Sequence, residues 1–302
     1  MSATPHILVV NGVKVRRPVF ILGAPQSGTA LLAHALKQLS GFHLTMGRPG
    51  VLRVGYAFAR KPSLAKERRD AAVRVLRDAF AESWRIAPDS CRGCSPQCRA
   101  AAGKVAGVEG ICVHPSEVHR FGDASQDLIY TGDLLLEAFP DAQLLQLVRD
   151  GRDVVASMLG DELSLAWFKP GVANVDDEFP NPFLGVEREA DRTAWSELSL
   201  AGKCALRWRS CVRLNARLRA DVSREQLLTV RYEDLATRPR GVARDVAGFL
   251  DLPLERAGRL GIAHGSVGTW RRQLSSGQVE EVERLAGEEL QRLGYLRPRQ
   301  SA

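Results

Sequence analysis

Apolar residues in this chain follow two rhythms. Three short runs are almost continuously apolar: "RPVFIL" (17–22), "AQLLQLVRD" (142–150) and "QLLTVRYEDL" (226–235). Runs of this kind predict strands buried on both faces. Each gives way to a stretch with apolar positions three and four apart, namely "TALLAHALKQL", "GRDVVASML" and "RGVARDVAGFL". That spacing predicts helices, and strands alternating with helices predict an α/β fold with a largely parallel sheet. Helical spacing recurs over 63–84 and 191–222, and "SSGQVEEVERLAGEELQRLGYL" predicts a helix that starts near a serine cap. "FKPGVANVDDEFPNPFLG" (168–185) is rich in Pro, Asn and Asp and predicts a loop over a site. Neither a repeat nor a linker interrupts the pattern, so one domain is expected over 1–302.

Composition narrows the class. A chain of 302 residues, 45% hydrophobic and 25% charged, can bury a sizeable core and reads as globular. A net charge of +7 favours anionic ligands. Nucleic acid stays open on charge alone, but no recognised binding motif supports it and none is expected as a partner. No apolar stretch approaches the ~20 residues of a membrane span. The first residues lack a basic start followed by a long apolar stretch. A cytoplasmic location with reduced cysteines is therefore the expectation.

Two segments carry the candidate chemistry. "GAPQSGT" lies between a strand and a helix, so backbone N–H groups gather at the positive end of the helix and make an anion site. Gly23 and Gly28 permit close approach of the backbone, and Ser27 and Thr29 add hydroxyls. Thr29 stands where an ATP-binding loop carries lysine, so the pattern of a phosphotransferase or kinase is not met, although that class is kept as an alternative. In "LVRDGRDVVASML", Arg149 falls at a strand end and Ser157 eight residues later, where the two could clamp a second phosphate. Arg152 and Asp153 are read as a local ion pair.

Together these segments resemble the sulfotransferases that use 3′-phosphoadenosine 5′-phosphosulfate (PAPS), in their bacterial branch. "PQSGTALL" resembles the loop for the 5′-phosphosulfate and "LVRDGRDVVASM" the 3′-phosphate segment. "FPDAQLLQLVRD", "LLTVRYEDLATRP" (227–239) and "GSVGTWRRQL" (265–274) follow the family in order and spacing, from about residue 18 to residue 296. The resemblance implies a P-loop-like, three-layer fold with a central, mostly parallel sheet flanked by helices. It implies transfer of a sulfuryl group from PAPS to a hydroxyl or amine of a small-molecule or saccharide acceptor. It assigns Gln26, Ser27, Gly28 and Thr29 to the phosphosulfate, Arg149 and Ser157 to the 3′-phosphate, and Tyr232 to adenine. Gly265, Gly268 and Arg271 would close over the 3′-phosphate, with Trp270 packing beside them. Acceptor pockets in the family come from variable loops, here 48–62, 86–122 and 165–190.

Two departures bear on catalysis. Gln26 stands where the family carries lysine or arginine, and Gln126 of "DASQ" where some relatives carry lysine. The second reading is thus a sulfotransferase-like nucleotide-binding protein with impaired catalysis. For the general base the candidates are Asp123 and His114, ahead of His119 and His43, with Gln26 as donor to the bridging oxygen. Cys91, Cys94, Cys98 and Cys112, in an insert around 86–122, are spaced for tetrahedral zinc or for plain reduced thiols, and the two readings weigh equally. Cys204 and Cys211 fall in a helical pattern and are expected in the core.

Overall fold

The structure is a computed structural model and describes residues 7–39, 41–102, 110–252 and 267–297. Among the described residues, seven strands run β1 (Val9–Val10), β2 (Val13–Lys14), β3 (Val19–Gly23), β4 (Phe42–Thr45), β5 (Arg120–Asp123), β6 (Gln143–Val148) and β7 (Leu227–Arg231). The first two form a small antiparallel ribbon around Asn11 and Gly12, both at positive φ. The other five form one parallel sheet in the order β4-β5-β3-β6-β7.

Every residue of β3 and β6 is buried. Alternate side chains of β3 feed two separate cores. Phe20 and Leu22 join Leu144 in a large cluster with the helices on one face. Val19 and Ile21 join Leu145 and Leu147 in a smaller cluster on the other. The helices Gly151–Leu159, Leu200–Asp221 and Ser276–Arg292 cover the first face. Thr29–Lys37 and Pro239–Phe249 cover the second. A sheet covered on both faces explains why its central strands read as unbroken apolar runs.

Chain order and sheet order part company at β3. The chain goes from β3 to the edge strand β4, returns to β5, and then crosses to β6 on the other side of β3. Such a reversal opens a crevice beyond the carboxyl ends of the strands. The loop after Gly23, Asp123, Arg149 and Tyr232 all lie at those ends.

The expected α/β architecture is therefore present, with two differences in detail. The helix expected over 63–84 is two, Pro62–Glu67 and Arg69–Ser83. β4 and β5 were not marked by the apolar pattern, because each has four residues and the pair includes His43, Arg120, Gly122 and Asp123. The serine-capped helix at the end is Ser276–Arg292, with Ser275 and Gln278 closing a capping box. Segment 168–185 is irregular as expected, and Cys204 and Cys211 are fully buried. Among the described residues no helix is long and apolar enough to cross a membrane.

Gly185 shows how tightly the long helix is seated. Its φ is +80°, and a Cβ there would stand 2.2 Å from the backbone carbon of Leu206. Gly185→Ala should lower the unfolding free energy by more than about 2 kcal/mol, through strain and overpacking. Gly55→Ala, on a helix with nothing within 4 Å of the new methyl, should be neutral or stabilising by up to about 1 kcal/mol. Denaturant titration of the two variants checks the contrast.

Candidate functional site

The loop that follows β3 is shaped by its small residues. A Cβ on Gly23 would lie 2.4 Å from Ser27 Oγ, and one on Gly28 would lie 2.5 Å from the Tyr232 ring. Ser27 is buried, and both its N–H (3.1 Å) and its hydroxyl (2.6 Å) donate to the Ala24 carbonyl. Gln26 and Gly28 take left-handed backbone conformations, at φ 61° and 98°. Helix Thr29–Lys37 starts directly after Gly28, with no side-chain cap on its first N–H groups. Those groups form an anion-attracting end.

Arg149 joins this loop to two other segments. Its Nη1 donates to the Gln26 carbonyl at 2.8 Å and to Ser157 Oγ at 3.3 Å. Its guanidinium lies 4.4 Å from the centroid of the Tyr232 ring, and Tyr232 is itself buried. Gln26, Gly28, Arg149, Ser157 and Tyr232, distant in sequence, are thereby brought together. Arg149 is only 7% exposed, so this cationic group sits where an anion would be desolvated along with it.

A third segment is fastened alongside. Asp153 accepts hydrogen bonds from Gly268 N (2.7 Å), Thr269 Oγ1 (3.1 Å) and Trp270 N (2.9 Å). The expected Arg152–Asp153 pair is not what forms. Arg152 bonds Asp150 at 2.8 Å and Glu283 at 3.0 Å, because Asp153 is occupied by the later segment. The Trp270 ring lies between two guanidinium groups, Arg152 at 4.2 Å and Arg271 at 4.6 Å. Gly268 has φ +72° and faces Arg271, which is exposed. Gly265 lies outside the described residues.

The general-base candidates read from sequence fare differently. Asp123 is at the carboxyl end of β5 but fully buried, so an acceptor has no access to it. Its Oδ2 accepts from Thr45 Oγ1 at 2.5 Å and its Oδ1 from Ser125 N at 2.7 Å. Burial raises its pKa to about 6 against these bonds, which lower it. His114 is exposed and pairs with Ser116 at 2.7 Å, capping the turn that leads into β5. It thus serves a turn, and no hydrogen bond links it to the loop. His43 is buried, and burial, with Lys37 and Arg48 nearby, holds its pKa down to about 3, so it stays neutral. Gln126 is exposed, and Arg48 donates to the Ser90 carbonyl at 2.8 Å.

The carboxylate that does touch the loop is one the sequence reading passed over. Asp161 Oδ2 accepts from Gln26 Nε2 at 3.0 Å, and from Ser164 N (3.2 Å) and Ser164 Oγ (2.6 Å). The only sequence signal for it is that of a helix cap, an acidic residue ahead of "ELSLA".

Cys91, Cys94 and Cys98 are buried, Cys112 is half-buried, and all are free thiols. Among the described residues, no group of three or more His, Cys, Asp or Glu side chains is arranged to hold a metal ion. A cation of the protein's own stands among the thiols instead: Lys37 Nζ donates to the Leu44 carbonyl at 2.7 Å and lies 3.9 Å from Cys112 Sγ. The hydrogen bond from Cys94, with Lys37 beside it, lowers Cys98 to about 6, while Cys94 is raised.

A family model described as "Sulfotransferase family" matches residues 18–173 and 186–256. A protein-tyrosine sulfotransferase of Drosophila melanogaster is 22% identical over 240 residues, 78% of this chain. The chain spans about 38% of that relative's length. Among solved structures, a sulfotransferase from Mycobacterium avium overlaps 94% of this chain and 78% of its own, at TM-score 0.48 and 17% identity. The sulfotransferase domain of the Synechococcus PCC 7002 olefin synthase overlaps 90% and 94%, at TM-score 0.47 and 17% identity.

The raised pKa of Asp123 has a consequence for stability. A carboxyl whose folded pKa exceeds its unfolded value of 3.8 stabilises most when protonated, and that contribution fades as pH rises through about 6. Asp123→Asn removes the charge: its Oδ1 can still accept from Ser125 N, and its Nδ2 would donate to Thr45 Oγ1 in a reversed bond. Its melting temperature should therefore rise relative to the native chain between about pH 4 and about pH 6. A difference that stays constant across this window in thermal melts would contradict the assignment.

Proposed function

This chain belongs to the sulfotransferase family, and on that premise we propose that it transfers a sulfuryl group from PAPS to a hydroxyl or amine of a small-molecule or saccharide acceptor. The observation that carries the reading is the position of Arg149, bonded to both the Gln26 carbonyl and Ser157 at the crevice beside β3. We also read residues 18–296 as one sulfotransferase-like domain that includes the cysteine insert.

The residues fit the donor at both of its anionic ends. The glycine cradle at Gly23 and Gly28 leaves room for backbone N–H groups to close on the 5′-phosphosulfate, with Ser27 and Thr29 beside them. Arg149 and Ser157 would hold the 3′-phosphate, since a planar guanidinium presents paired donors to an anion. Tyr232 is assigned to the adenine side, where its ring also sets the spacing between Arg149 and Gly28. Asp153 keeps Gly268 and Trp270 in place, and Arg271 projects from the same turn to complete the phosphate enclosure. PAPS supplies the activated sulfuryl group when bound. Gln26 has two amide hydrogens, one on Asp161 and a second available to the bridging oxygen. Holding donors ready at the point where charge develops is the main physical route to acceleration here.

A nucleotide-binding protein of impaired catalysis is the second reading. It is favoured by one contact: the amide at the usual cationic position is engaged by Asp161. Turnover of PAPS with a panel of alcohols, amines and saccharides separates the two.

Binding to the folded state raises the melting temperature, by the equivalent of about 2.7 kcal/mol when ligand is at a hundred times its Kd. Adenosine 3′,5′-bisphosphate should produce such a shift and ATP with magnesium should not. Arg149→Ala should abolish the bisphosphate shift. Stabilisation by ATP alone, or an unchanged shift in the variant, would overturn the donor assignment.

A further inference from the structure

Asp123 is sealed and His114 is turned to a cap, so neither of the two leading candidates takes the acceptor's proton. The carboxylates at the mouth of the crevice can be compared by what they touch. Asp127 is buried and ion-paired with Arg207 at 2.9 Å. Asp150 is spent on Arg152, and Asp153 on the segment around Gly268. Asp161 alone of these bonds a side chain of the loop, and it is half-buried, so it keeps a solvent-facing edge.

Its chemistry is asymmetric. All three described hydrogen bonds, from Gln26, Ser164 N and Ser164 Oγ, go to Oδ2. Among the described residues Oδ1 accepts none. The residue is also well anchored: its N–H bonds the Met158 carbonyl at 3.1 Å, one residue beyond the Ser157 that meets Arg149. Asp161 is thus fixed to the helix that carries the 3′-phosphate contact and faces the loop for the phosphosulfate.

We propose that Asp161 is the proton acceptor of the transfer, with Oδ1 receiving the proton while Oδ2 holds the Gln26 amide in line. This rests on the sulfuryl-transfer reading given above. The acceptor oxygen or nitrogen forms a bond to sulfur as the bond from sulfur to the phosphate oxygen breaks. The electron pair of that bond leaves with adenosine 3′,5′-bisphosphate, and the acceptor's proton goes to Oδ1 and then to solvent. The second Gln26 N–H donates to the leaving oxygen. One pair, Gln26 and Asp161, thereby does at neutral charge and negative charge what a lysine beside a separate base would do.

Among the described residues, the groups facing Asp161 are few. Gln26 comes from the loop and Ser164 from its own short helix. Tyr56 comes from the helix Pro49–Arg60, with Asp127 and Arg207 behind it. Tyr56 is raised by burial and by Asp127, so it stays protonated and does not compete as a base.

The test is Asp161→Asn, which caps the short helix as well as aspartate does. Bisphosphate stabilisation should match the native chain, and KM for PAPS should change by no more than a few fold. kcat should fall by about 10²–10⁴-fold, the range for loss of a general base. The acidic limb of the native kcat–pH profile should disappear. A variant that retains native kcat and the same acidic limb overturns the role of Asp161. A native chain that binds bisphosphate but transfers sulfate to no acceptor overturns the transfer reading, and this inference with it. Should the asparagine chain fail to fold, Asp161→Ser, which also caps, carries the same expectations.

Discussion

The structure turns on one guanidinium. Arg149 is nearly buried, and a buried cation is costly unless it is bonded. The Gln26 carbonyl, the Ser157 hydroxyl and the face of Tyr232 answer that cost from three different directions. These partners follow β3, β6 and β7, so one side chain sets how the loop stands relative to the far half of the sheet. A lysine could not do this, because a compact ammonium lacks the planar fork and stacks less well. The glycines matter for the same reason. Gly28 has no Cβ, and only that lets Tyr232 come close enough to lie under Arg149.

The remainder of the fold braces this arrangement from behind. The long helix Leu200–Asp221 carries two arginines that are essentially unexposed, and each meets a carboxylate, Arg207 with Asp127 and Arg209 with Asp191. Trp208, between them in sequence, donates from its indole to the Arg149 carbonyl at 3.2 Å. Its ring also packs where a Cβ on Gly151 would have to go. The helix therefore reads the site's backbone directly, while its charged neighbours fix its rotation. Losing one partner of such a pair strands a buried charge, at about 3–5 kcal/mol.

What could be read from sequence follows the physics of each feature. β3 and β6 were legible because strands covered on both faces are apolar throughout. The placing of the glycine loop and Arg149 at strand ends, with Ser157 on the helix after Arg149, was legible because strand-to-helix turns follow from the apolar pattern. β4 and β5 were not, since four residues including His43 and Asp123 make no periodic signal. Asp153 and Asp161 were missed for a related reason. Asp153 is read as a local ion partner and Asp161 carries no signal beyond a helix cap, while their bonds reach 115 and 135 positions along the chain. Asp123 and His114 were attractive as titratable groups in the right stretch, but burial is a tertiary fact that spacing does not report, and the His114 cap is a local side-chain geometry that residue type alone does not fix. The cysteines illustrate the same limit: their spacing suited zinc and plain reduced thiols equally, and the Lys37 ammonium that stands among them comes from another element.

The bonds of Asp153 also bear on the order in which the molecule is completed. They close a span of 115 residues, and the residues that close it, Gly268 to Trp270, leave the ribosome after every strand of the sheet. Closing so long a loop gains nothing until both ends are structured. The loop, Arg149 and Tyr232 can therefore assemble on the nascent chain while the crevice is still open on one side. This fastening follows completion of the sheet, and a chain halted before Gly268 would lack the segment that Asp153 holds.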